Sequence, residues 1–141
     1  MSEGKIDHRQ LLVWQRAHIL VLTIYRVTRT FPAEERYGLT SQLRRAAVAI
    51  ATNIAEGRSR STPGAYASFV DIALGSAGEV SYELLLARDL EYMQQSVYEP
   101  LVDEIEQIRN MLGGLRQSII NRSRDATPPR PSIPRPPSAD P

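Results

Sequence analysis

The sequence predicts an all-α fold, an antiparallel up-down-up-down four-helix bundle followed by a disordered, proline-rich C-terminal tail. Three observations carry this. Apolar residues recur every three or four positions through four successive stretches, prolines and a glycine fall between those stretches, and no stretch of comparable length alternates with period two. A three-helix arrangement with a detached terminal helix is the main alternative.

Residues 1–10 are polar and read as a flexible N-terminus. In the first helix, placed over residues 11–31, Val13, Ala17, Leu20, Ile24, Val27 and Phe31 form one stripe. Phe31-Pro32 stops it, because a residue before proline disfavours the helical region. The second helix, over residues 38–59, carries Leu39, Leu43, Ala46, Ile50, Ile54 and Gly57. Gly57 can end it by adopting the left-handed conformation, although the arginines beyond it allow a few more helical residues. The third helix, over residues 63–91, opens on Thr62 as N-cap with Pro63 in the first helical position. Its row is Tyr66, Phe69 or Val70, Ala73, Ala77, Val80, Leu84 and Ala87. Ser96, with Glu99 three residues on, reads as a capping box opening the fourth helix over residues 97–122, whose row is Tyr98, Leu101, Ile105, Ile108, Leu112, Leu115 and Ile119. The short connections between these stretches force consecutive helices to lie antiparallel.

Residues 123–141 hold seven of the ten prolines and one large aliphatic residue, Ile133, too little apolar surface to offset the entropy of ordering. Residues 131–134 and 134–137 fit the PxxP pattern, which arises readily in any proline-rich tail.

Composition narrows the functional classes. The 141 residues include 17 Lys plus Arg against 16 Asp plus Glu, a formal charge of +1, and no cysteine. A disulfide scaffold, a thiolate metal site and a cysteine nucleophile are therefore excluded. The longest wholly apolar run, residues 46–51, is far too short to cross a membrane, and the polar start argues for a cytoplasmic location. Four-helix bundles can host a di-iron centre, but that chemistry needs Glu-x-x-His on two helices. The only histidines, His8 and His18, both lack a glutamate three residues earlier. Without a nucleophile elbow or phosphate-cradling glycine loop, the chain reads as a non-enzyme with no cofactor and no metal.

Two polar features remain. Gln42, Arg45, Asn53 and Glu56 fall on one flank of the second helix, within an arc of roughly 80°. On the third helix Ile72, Ser76, Glu79, Glu83, Leu86 and Leu90 make a second row that is polar in its middle. Gln42, Arg45, Asn53, Glu56, Ser76 and Glu79 are the candidates for a polar network between these helices or across subunits; separately solvated flanks and a ligand site are the other readings. Gly75, Ser76, Ala77 and Gly78 place small residues in mid-helix, where glycine is costly, so a tight helix crossing is expected there.

Charge is unevenly divided. Residues 1–64 carry ten basic and five acidic side chains, whereas residues 65–122 carry four and nine. That split suits an anionic partner such as RNA on the basic half, or head-to-tail self-association that closes into a ring. Arg36, Arg44, Arg45, Arg58 and Arg60 are the candidate nucleic-acid-binding cluster; a solvated surface with no ligand is the third reading.

Longer strings are distinctive. Leu12-Val13-Trp14-Gln15-Arg16-Ala17, Phe31-Pro32, Glu35-Arg36-Tyr37-Gly38-Leu39-Thr40, Gln42-Leu43-Arg44-Arg45-Ala46-Ala47, Asn53-Ile54-Ala55-Glu56-Gly57 and Gly75-Ser76 with Glu79 closely resemble the bacterial four-helix-bundle family encoded in 23S ribosomal RNA intervening sequences. The resemblance spans residues 11–120. It implies a small bundle assembling into a ring, typically a homopentamer, without established enzymatic activity. Accessory proteins of diversity-generating retroelements are similar to that family in fold, and by that likeness RNA or a reverse transcriptase becomes an expected partner. The combined expectation is a non-enzymatic, ring-forming scaffold contacting structured RNA through its Arg-rich second helix; the alternative is a self-assembling protein-partner adaptor that binds no nucleic acid.

Overall fold

The computed structural model describes residues 7–126, and among these the chain forms helices and turns without a strand. A 3₁₀ turn, His8–Gln10, leads into α1 (Leu12–Thr28); a second, Ala33–Glu35, precedes α2 (Leu39–Arg58), and α3 (Pro63–Asp89) and α4 (Gln95–Ala126) follow. Each helix packs on its chain neighbours and α1 also packs on α4, while the backbones of the diagonal pairs stay more than 8 Å apart, Cα to Cα. This is the arrangement of an up-down-up-down bundle.

Periodicity found the core. Leu20, Ile24, Leu43, Ile50, Ile54, Leu84, Ile105, Ile108 and Leu112 are fully buried, and each contributes about 1.5–3 kcal/mol relative to exposure. Ala17, Ala46, Ala47, Ala73, Ala77 and Ala87 are buried between them, so small residues let the helices approach. Arg16 joins α1 to α4 through a two-pronged bond to Glu104, at 2.9 and 2.7 Å, and also donates to Gln107.

Helix ends depart from the expected ones where local chemistry offers a better solution. Within the segment expected to be flexible, the Asp7 carboxylate accepts from the Arg9 amide at 2.9 Å and caps the turn His8–Gln10. Helix α1 stops at Thr28, and Phe31, donating its amide to the Thr28 carbonyl, buries its ring against Tyr92 at 5.6 Å. Thr62 caps α3 as its sequence suggests, accepting from the Ala65 amide at 3.2 Å with Pro63 next in line. Helix α4 begins at Gln95, where the Gln94 carbonyl accepts from Val97 and Tyr98. Ser96 therefore lies inside the first turn and caps nothing. At its far end α4 continues through residues 123–126, which the sequence assigns to the tail; the remainder of the tail, 127–141, and residues 1–6 of the flexible N-terminus lie outside the described residues.

Two glycine expectations are corrected. Gly57 lies inside α2 and terminates nothing: a Cβ there would sit 2.8 Å from the Phe69 Cβ and 3.0 Å from the Tyr66 ring, so its absence lets α2 and α3 close together. Gly75 and Gly78 sit at no crossing, because a Cβ at either meets nothing within 4 Å. Only Ser76 and Ala77 of that small run point inward.

Candidate functional site at the α2–α3 groove

Because helix positions three and four apart share a face, Gln42, Arg45, Ala46 and Ala49 on α2 line up opposite Ser76, Glu79 and Glu83 on α3. Together they line a groove of about 460 Å³. The two alanines keep the wall low and give access to its floor. Ser76 and Glu83 are buried, while Arg45 and Glu79 stand at the exposed edge.

Glu83 is the anomalous member. It is only 9% exposed, and its Oε2 has no hydrogen-bond partner. Burial pushes its carboxyl up to about 7, and the nearby Glu79 adds repulsion in the same direction. A buried carboxyl without a donor is costly, so it holds its proton in preference to an unpaired charge. Arg45, which lines the same groove, makes no hydrogen bond or ion pair with any described residue.

Four of the six expected network residues, Gln42, Arg45, Ser76 and Glu79, line this groove, but no hydrogen bond or ion pair joins them to one another. The other two do not line it. Asn53 donates its side-chain amide to the Ala49 carbonyl of its own helix at 2.8 Å, and Glu56 pairs with Arg60 one turn on at 3.0 Å. Glu83 belonged to the polar row in sequence, but periodicity alone carried no sign of its burial.

The arginine cluster is dispersed. Arg44 and Arg58 are about 21 Å apart along α2 at 1.5 Å per residue, and Arg36 lies in the connection before that helix. Arg44 turns towards α1, donating to the Thr28 hydroxyl at 2.8 Å and lying 4.6 Å over the Tyr25 ring. Arg36 covers Tyr37, Arg58 covers Tyr66 and Arg60 covers Phe69, at 5.5, 6.0 and 4.8 Å. Arg45 is alone among the five in having no aromatic partner among the described residues. Arg58 and Arg60 do meet Arg122 of α4 at one end of the bundle, around Tyr66, whose hydroxyl is pushed up by burial and partly drawn back by Arg58 and Arg122.

Among the described residues no group of three His, Asp or Glu side chains is placed to hold a metal ion, and no helix is long and apolar enough to cross a membrane.

The family described as 23S rRNA-intervening sequence protein matches residues 9–114. The chain belongs to that family. The match covers all of α1, α2 and α3, so the α2–α3 groove lies wholly within the 23S rRNA-intervening sequence protein region. The chain is also similar to a crystal structure of a protein with unknown function from the S23 ribosomal protein family of Bacteroides thetaiotaomicron VPI-5482. That likeness has a TM-score of 0.71 at 20% identity and covers 75% of this chain and 99% of the other, which supports the shared fold. None of the curated proteins compared with this chain matches it.

Proposed function

We propose that this family member is a non-enzymatic scaffold that associates head to tail with copies of itself, closing into a ring. The observation that carries the reading is a pair of outward apolar stripes. On α1, Leu12, Ile19 and Leu22 are all more than half exposed; on α3, Ile72 and Tyr82 are as well. Each set spans an arc of roughly 80° on its helix, opposite the buried row. Since α1 and α3 are diagonal, the stripes look out on opposite sides of the bundle. Two different patches on opposite sides suit a heterologous contact, which repeats from copy to copy until the rotation closes it. The split between a basic half and an acidic half supports the same direction of stacking.

Sedimentation equilibrium tests this. The expected result is a single species several times the 15.8 kDa chain mass, reduced to the chain mass by Leu22→Glu with helix content unchanged. A wild type that stays at the chain mass at every concentration overturns it.

RNA contact is the second reading, and it draws support from the end of the bundle rather than the face of α2, because Arg58, Arg60 and Arg122 line one groove there. Arginines in such a setting contact phosphate without reading sequence, so affinity falls steeply with salt. Filter binding of a 23S ribosomal RNA fragment at low salt, with Arg58→Glu and Arg122→Glu as controls, decides it: no retention of the wild type removes this reading.

A further inference from the structure

We propose that the groove between α2 and α3 is a socket for the guanidinium of an arginine from a second copy of this chain, received by the carboxylates of Glu83 and Glu79. The inference rests on the self-association proposed above and adds the polar contact that would give it register.

Three observations carry it. The first is Glu83, nine-tenths buried at the floor of the groove, with an oxygen that no described donor reaches. The second is the spacing of the acceptors. Glu79 and Glu83 are one helical turn apart on one face, with the Ser76 hydroxyl a further turn back and the Gln42 amide across the groove. A guanidinium presents a planar fork of five donors and can bridge acceptors set apart in this way, whereas an ammonium is a point charge on a short tip. Its weaker hydration also lowers the cost of entering a half-buried slot. A divalent cation fits less well, because among the described residues no third acidic or imidazole ligand stands by the pair.

The third observation identifies the donor's origin. The outer face of α3 beside the groove exposes Ile72 and Tyr82, and α2 exposes Val48, so the socket sits within an apolar surround that another protein surface would cover and a free solute would not. The basic half of the chain supplies arginines for the purpose: Arg26 and Arg29, at the end of α1, are exposed and bond through their side chains to no described residue. An entering guanidinium favours release of the Glu83 proton to solvent, and the two carboxylates with Arg45 at the lip then carry one net negative charge, which that guanidinium balances.

The test compares self-association of the full chain with that of Glu83→Gln, an isosteric change that keeps the helix and removes only the charge. Truncating one partner of a buried charged pair at an interface is expected to weaken the dissociation constant by about tenfold or more. Millimolar methylguanidinium, as a free probe, should weaken wild-type association and leave the variant's unchanged. Equal dissociation constants for wild type and Glu83→Gln, with circular dichroism unaltered, would overturn the socket while leaving self-association standing. Methylguanidinium acting alike on both proteins would overturn it too. A wild type that is monomeric throughout removes the self-association reading as well, so the two failures are told apart.

Discussion

Arg44 and Arg45 are adjacent in sequence and identical in chemistry, yet they belong to two different seams of the bundle. A 100° turn of the helix sends Arg44 into the α1–α2 seam, where the Thr28 hydroxyl accepts its Nε–H and the Tyr25 ring lies beneath its guanidinium. Arg45 goes to the α2–α3 side, where it reaches no described partner and lines the same groove as Glu83, whose Oε2 has none either. The first seam answers its polar groups internally, as buried or half-buried polar groups normally are. The second leaves a buried acid and an exposed base without internal partners. The difference teaches that a seam can be complete in its apolar packing and still be chemically open.

Glu83→Gln should break this contrast most strongly. The Glu83 carboxyl is raised from 4.5 to about 7 in the folded chain, so between those values the folded form binds a proton that the unfolded form has lost. Stability therefore falls as pH rises from about 4.5 to about 7 and is level above that, a loss of up to about 3 kcal/mol. Urea unfolding of dilute protein should show Glu83→Gln more stable than wild type by that order at pH 8 and nearly equal to it at pH 4.5. A pH-independent difference would mean that the carboxyl is not desolvated as described.

Next in size is Gly57→Ala, which probes how tightly the apolar part of the same seam is closed. The added methyl meets the Phe69 Cβ at 2.8 Å and the Tyr66 carbonyl at 3.3 Å, both on or next to backbone. Overpacking of this kind costs about 1–3 kcal/mol, of which helix propensity returns up to about 1. Thermal unfolding should show a net loss; an unchanged midpoint would show that the helices can slide apart. The smallest effect separates the two arginines directly. Arg44→Ala should cost about 1–2 kcal/mol by removing the bond to the Thr28 hydroxyl and the contact with the Tyr25 ring, whereas Arg45→Ala should lie within about 0.5 kcal/mol of wild type. Equal costs would erase the distinction between the seams.

The fold was readable from residue pattern because burial in a bundle is a matter of angle around each helix, and rows such as Leu43, Ile50, Ile54 and Ile105, Ile108, Leu112 declare that angle. Half of the site was readable for the same reason: Gln42 and Arg45 share a flank of α2, and Ser76 and Glu79 share one of α3. What pattern could not supply was depth. Glu79 and Glu83 are equivalent by spacing, yet one is exposed and the other is at the floor, because depth depends on how far the opposing Ala46 and Ala49 fall short of filling the space. The five arginines are spread out for a different reason. Closeness along a helix is not closeness on its surface, and the rings that engage Arg44, Arg58 and Arg60 come from α1 and α3, elements whose approach had yet to be known.

Trp14, the single tryptophan of the chain, stacks within 5° of parallel on His18 at 5.2 Å and meets the edge of His8 at 5.1 Å. Its fluorescence is therefore expected to report the docking of the leading turn onto α1 without any label. The molecule carries its own optical gauge at the entrance to the bundle, remote in sequence from the groove, against which every substitution above can be checked for an intact first helix.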